Sequence, residues 1–238
     1  MELARILVSQ GFGTRRECAA LCAGGRVSVG GQVHDDPHAD LATDDLVLGV
    51  DGVEWPFRAK VLLKLHKPVG YECSRAPSHH PSVLDLLPAP LRGRGVQPVG
   101  RLDADTSGLL LLSDDGALIH RMTSPRRHVP KVYQVTTRHP VDVAMTARLA
   151  GGVVLRDDPA PVRALAVQAT GTHSLDLTLA EGKYHQVKRM VAAAGNRVEA
   201  LHRSSFGGIG LGELAPGQWA WLDPQLDPTL EPAQGGPR

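Results

Sequence analysis

Three observations predict an α+β fold with a mixed, mostly antiparallel sheet. Leu109 to Leu112 are four consecutive leucines between the polar segment GRLDADTSG and the turn Ser113-Asp114-Asp115-Gly116. A short apolar run bounded by turn formers reads as a strand buried on both faces. Elsewhere, alternating runs occur in pairs with single helical stretches between them, and no βαβ rhythm or internal repeat is visible.

The totals bound the reading. The chain has 238 residues, long enough for one or two domains with a sizeable core. No eighteen-residue apolar run is present, and MELARILVSQ lacks the apolar stretch of a secretory signal, so the cytoplasm is expected. Three cysteines without a CxxC argue against a disulfide framework or zinc ribbon. Net charge is +1, but it is unevenly spread. Residues 1–57 hold four basic and nine acidic residues, whereas 121–139 hold five Lys or Arg and no acid. A local basic stretch in a near-neutral protein suits a polyanion bound on one face, with a solvated charged surface as the alternative.

At the N-terminus, Leu3, Ile6 and Leu7 fall at helical spacing over residues 2–10. Thr14-Arg15-Arg16-Glu17 is a capping box opening a second helix, which Gly24-Gly25 ends. RVSVGGQVHD reads as a hairpin about Gly30-Gly31, and Leu46 to Val50 as a further strand. These residues resemble the S4 (αL-type) RNA-binding domain over roughly 1–50. Glu2 and Ala4 stand where that family usually has Arg and Asp. Arg15, Arg16 and Arg26 remain as the phosphate contacts the resemblance implies, ordinary surface arginines being the alternative.

DGVEWPFRAK at 51–60 reads as a linker. VLLKLHKP is a strand closed by Pro68-Val69-Gly70. Residues 74–98 form a long loop with a short helix near 83–87, and long loops inside compact domains are often functional. Asp115 or Asp114 caps a helix over 116–122, and VPKVYQVTT is a strand. Asp142 caps a helix stopped by Gly151-Gly152. Strands follow near 163–169 and 174–180, then a helix over 184–194, and strands near 197–203 and 218–222. The expected division is 1–57 for the N-terminal domain and linker, 58–230 for the second domain, and 231–238 for a disordered tail.

Candidate chemistry begins with elimination. No P-loop, GxGxxG or HExxH is present, and the eleven histidines show no ligand spacing, so no metal site or cofactor is indicated. Cys18 and Cys22, four apart on a helix, read as packing. Asp103 and Asp105 raise a carboxylate-pair reading of the glycosidase type, against turn or cap roles.

GRLDADTSGLLLLSDDG, PKVYQV at 130–135 and EGKYHQVKRM at 181–190 together resemble the pseudouridine synthases of the RsuA group. With KPVGYECS at 67–74 and LHR at 201–203, the likeness is greatest to enzymes acting on a uridine of 16S small-subunit rRNA. Relatives acting on large-subunit (23S) rRNA tend to carry Asn-Arg where this chain has Tyr184-His185. The resemblance implies an rRNA pseudouridine synthase, expected as a monomer without a cofactor. Asp103 is then the nucleophile, on the base or on the sugar, and Lys188 its cation, with Lys183 as fallback. Tyr133 lines the pocket, stacks on the uracil and accepts a proton, an ordinary strand aromatic being the alternative. Arg101 fills the place of the flipped uridine, its rival role being an ion pair with Asp103 or Asp105. Lys183, His185 and Arg189 complete the RNA-facing wall. Asp105 is left as a turn residue. A non-catalytic S4-type rRNA-binding assembly factor and a large-subunit enzyme remain the alternatives.

Overall fold

The structure is a computed structural model that describes residues 1–156 and 158–223. The chain separates into two compact units: Met1–Val61 with Leu87–Gln97, and Leu62–Leu86 with the chain from Pro98 onward.

The first unit opens with α1 (Leu3–Ser9), whose Leu3, Ile6 and Leu7 are fully buried. The capping box starts α2 (Arg15–Ala23): Thr14 Oγ1 accepts from the Glu17 amide, and Glu17 Oε2 accepts from the Thr14 amide at 2.7 Å. Cys18 and Cys22 are both buried on this helix. Burial pushes the Cys18 thiol up to about 11, so packing is its role.

β1 (Val27–Val29) and β2 (Gln32–Val33) form the expected hairpin, joined by β3 (Val47–Val50) and β4 (Val53–Pro56) in the antiparallel order β2-β1-β3-β4. The linker expectation over 51–60 is corrected here. Asp51 and Gly52 both take positive φ, which makes the tight turn of a hairpin, and Trp55 on β4 is buried.

The segment with α3 (Ala89–Gly93) also belongs to this unit rather than to 58–230. Arg94 Nη1 donates to Gln10 Oε1 at 2.8 Å and to Arg58 O at 2.7 Å. Gly11 has φ +87°, and a Cβ there would lie 2.0 Å from Pro90 O, so only glycine permits this approach.

Apart from α3, the chain from Leu62 onward runs β5 (Leu62–Lys67), β6 (Gln97–Pro98), β7 (Thr106–Ser113), α4 (Gly116–Thr123), β8 (Lys131–Thr137) and α5 (Val143–Gly151). There follow β9 (Val153–Leu155), β10 (Asp158–Val162), β11 (Ala166–Gly171), β12 (Ser174–Leu179), α6 (Gln186–Ala193), β13 (Val198–Phe206), β14 (Ile209–Gly210) and β15 (Trp219–Trp221). The hairpin of β9 and β10 and the helix α3 are additions to the sequence reading, and α6 begins two residues later than expected. The expected tail at 231–238 lies outside the described residues.

The main sheet runs β11-β12-β8-β13-β7-β5-β15. Among the described strands on that path, β7 and β13 are the parallel pair and the rest are antiparallel, as the α+β reading requires. Leu109 to Leu112 are all fully buried. Leu109 and Leu111 pack with Leu62, Val99, Leu118, Met122, Val129 and Phe206. Burying each leucine contributes about 1.5–3 kcal/mol, so this strand is a firm base for the loop that enters it. Asp115 Oδ1 caps α4 by accepting from the Ala117 amide at 2.9 Å, and Asp142 Oδ1 caps α5 by accepting from the Met145 amide at 2.6 Å.

Gly108 joins the two central strands closely. It pairs with Arg203 at φ +112°, where a Cβ would lie 2.3 Å from the Arg203 carbonyl oxygen.

Candidate active site

The loop preceding β7 is fixed from beneath by a buried cation. Lys67 ends β5 at the inward position that follows Leu63 and Leu65, and all three are fully buried. Its ammonium donates to the carbonyls of Pro68 (3.0 Å), Ala104 (3.3 Å) and Thr106 (2.8 Å). Burial holds its pKa below the ordinary lysine value, against the pull of Cys73, Asp105 and Asp103. The Thr106 amide donates to Asp103 O, and the Gly70 amide to Ala104 O at 2.7 Å, closing the turn that presents Asp103.

A pocket opens above this loop. Asp103, Tyr133, Thr106 and Lys188 line it, with Leu179, Val187 and Leu201 as apolar walls. Tyr133 stands on β8 and is buried, with its neighbours Leu177 and Arg203 on β12 and β13. A wider hollow of about 770 Å³ shares Arg101, Leu102, Asp103, Lys183 and His185 with the pocket and adds Glu72 to Ser74 and Ser78 to His80.

α6 supplies the charges. Its N-cap, His185, takes the left-handed conformation at φ +48°, and the Gln186 side chain accepts from the Lys183 amide at 2.7 Å. His185 Nε2 lies 3.3 Å from Asp103 Oδ1, and Lys188 Nζ lies 3.2 Å from Asp103 Oδ2. The same ammonium donates to both oxygens of Asp105, at 2.7 and 2.9 Å. Asp105 is therefore an ion-pair partner as well as a turn residue, which corrects its sequence reading. Burial pushes Asp105 up, but the hydrogen bond and charge of Lys188 outweigh it and hold the carboxyl below its ordinary value. For Lys188, burial pushes down, while hydrogen bonds to Asp105 and Asp103 prevail and keep it above the usual lysine value.

The remaining expected residues fall in three places. Arg101 is exposed and lines both pocket and hollow, while Lys188 holds the two carboxylates. Lys183 lines the pocket but pairs with Asp158, and Arg189 Nη1 donates to Tyr184 O at 3.0 Å. In the first unit, Arg15 and Arg16 border a surface hollow with Arg5 and His38, while Arg26 makes a bidentate pair with Asp51 at 2.6 and 2.7 Å.

Sequence reasoning missed Lys67 and Arg203, both buried cations. Arg203 Nε donates to Leu109 O at 2.8 Å, and its guanidinium lies over Phe206. Period-two parity with Leu63 and Leu65, and with Leu201, was the available signal. Among the described residues, no group of three or more His, Cys, Asp or Glu is placed to hold a metal ion.

Residues 61–193 match the family model described as RNA pseudouridylate synthase. The chain belongs to the RNA pseudouridylate synthase family. Residues 1–47 of this family member match the S4 domain. It is 36% identical over 224 residues to ribosomal small subunit pseudouridine synthase A of Pasteurella multocida, covering 93% of this chain and 96% of that one. With the protein of the same name from Escherichia coli strain K12 it shares 38% identity over 220 residues, covering 89% and 92%. A crystal structure titled as a pseudouridylate synthase superposes with a TM-score of 0.68 at 30% identity, over 97% of this chain and 100% of that one. The α+β catalytic fold and the S4 module are thus those of a pseudouridine synthase.

Proposed function

We propose that this enzyme converts one uridine of small-subunit (16S) rRNA to pseudouridine, with the Asp103 carboxylate as nucleophile. The observation that carries the reading is the placement of Asp103, half-buried in a pocket with Tyr133 and held by Lys188 and His185. The reading also draws on the two relatives named for the small ribosomal subunit, each matched over most of its length.

The isomerisation breaks the bond from N1 of uracil to C1′ of ribose and forms one from C5 to C1′. A proton leaves C5 and N1 gains one, so atoms and electrons balance without an oxidant. An ionised carboxylate begins the exchange by attack on the base or the sugar. Lys188 stands beside Asp103 and sets its own positive charge, secured by the two carboxylates, against the carboxylate that attacks. Tyr133 offers its ring to the uracil, and its hydroxyl relays the proton that leaves C5, taking it on oxygen as its own proton passes to water. A uridine in folded RNA must first leave its stack, at a cost of about a few kcal/mol. Arg101, at the mouth, takes the vacated space and donates to neighbouring phosphates. Arg15 and Arg16 of the S4 module add contacts that select and orient the rRNA segment. The enzyme acts as a monomer in the cytoplasm.

Chemical labelling of pseudouridine with reverse-transcription mapping tests the substrate. rRNA from cells lacking the protein should lose one stop, in 16S rRNA. Loss of a stop in 23S rRNA instead would assign the large subunit, and unchanged stops everywhere would overturn the catalytic reading.

A further inference from the structure

Of the nine Phe, Tyr and Trp residues, Tyr184 alone is exposed, with 72% of its surface open. Its position is not casual. One face of the ring stacks on the His185 imidazole, with centroids 3.8 Å apart and planes 20° from parallel. That imidazole lies against Asp103, so the stack is continuous with the catalytic carboxylate. His185 holds φ +48° in the left-handed region, which disfavours a non-glycine residue by about 1–2 kcal/mol. Arg189 fixes the Tyr184 carbonyl from the next turn. Both rings line the wide hollow beside the pocket, as do Arg101, which is exposed, and Lys183, which pairs with Asp158.

We propose that Tyr184 and His185 form a stacking platform for a base directly adjoining the target uridine in the RNA strand. The free face of Tyr184 receives that base, while the uridine turns into the pocket. An aromatic ring beside basic groups is how single-stranded RNA bases are held once unstacked. The platform supplies stacking lost when the target leaves the helix, so it acts on capture of the flipped strand and not on the bond exchange. Tyr184 is accordingly a specificity and positioning residue.

This inference rests on the reading of the chain as an RNA-uridine isomerase, and its test separates the two. The substrate is an rRNA fragment carrying the mapped uridine with tritium at C5, whose release reports isomerisation. Two further fragments replace the 5′ or the 3′ neighbour by an abasic nucleotide. On intact RNA, Tyr184→Ala should lower kcat/KM by about 10-fold or more, chiefly through KM, and Tyr184→Phe should restore it. On one abasic fragment, the wild-type protein should lose the same factor and Tyr184→Ala should cost nothing further. A penalty for Tyr184→Ala that is equal on all three RNAs, or absent from all, overturns the platform while leaving the isomerase reading intact. No tritium release by the wild-type protein from intact RNA overturns both.

Discussion

Lys188 donates to both carboxylate oxygens of Asp105, at 2.7 and 2.9 Å, and so is shared between the Asp103 carboxylate and its neighbour two residues on. Asp105 is more open to solvent than Asp103, with side-chain exposures of 70% and 31%. It therefore anchors the lysine at the rim while Asp103 uses the inner side of the same charge.

Removing the anchor and removing the cation should have different effects. Asp105→Asn should change stability by less than about 1 kcal/mol, as for an exposed ion pair. It should lower kcat/KM less than 10-fold, because Lys188 still faces Asp103. Lys188→Met leaves both carboxylates without that cation and should lower kcat by about 100-fold or more, with Lys188→Arg recovering part of it. Steady-state kinetics on one RNA substrate, beside urea unfolding of each variant, checks the order.

Lys67 is the structural counterpart, buried beneath the loop. Lys67→Met would strand three carbonyls that now accept from the ammonium. A stability loss of about 2–4 kcal/mol is expected, together with a fall in kcat from a displaced Asp103. Chemical denaturation reads the first and single-turnover kinetics the second. Full stability with full activity would show that the lysine does not hold the loop.

Lys131 gives the protein a pH signature. Burial, reinforced by the charge of Arg203, lowers its pKa to about 8 from 10.5. The folded state thus releases this proton before the unfolded state does. Between about pH 8 and pH 10.5 the unfolded chain binds the extra proton, so this group makes stability rise with pH there. Below pH 8 both states are protonated, and the cost of burying the charge is constant. Lys131→Met should be more stable than the wild type at pH 7, with the difference shrinking from pH 8 to 10. Denaturant midpoints across that range test the sign.

Much of this architecture was legible because its signals are local. Thr14 with Glu17, Asp115 and Asp142 announce helix starts through side chains that reach their own first turns, and the four leucines announce a buried strand. The hairpin through β4 was hidden because Pro56 and the polar residues around it resemble a linker, although Asp51-Gly52 carries the turn chemistry. α3 was hidden between prolines, and its attachment to Gln10 and Arg58 depends on contacts distant in sequence. At the site, Asp103, Tyr133 and Lys188 were named through motif likeness, and the geometry brings them around one pocket. The sharing of Lys188 with Asp105 was not legible, since it depends on how α6 meets a loop more than eighty residues earlier. Lys67 and Arg203 were overlooked because charge suggested solvent, while strand parity pointed inward.

On the proposed function the Asp103 carboxylate carries out the isomerisation and is not needed to hold RNA. Tritium release from C5-labelled 16S rRNA by Asp103→Asn, with RNA affinity measured on the same preparation, tests it most directly. No release above background and an affinity within a few-fold of the wild type are expected. Release at a wild-type rate by that variant would contradict it.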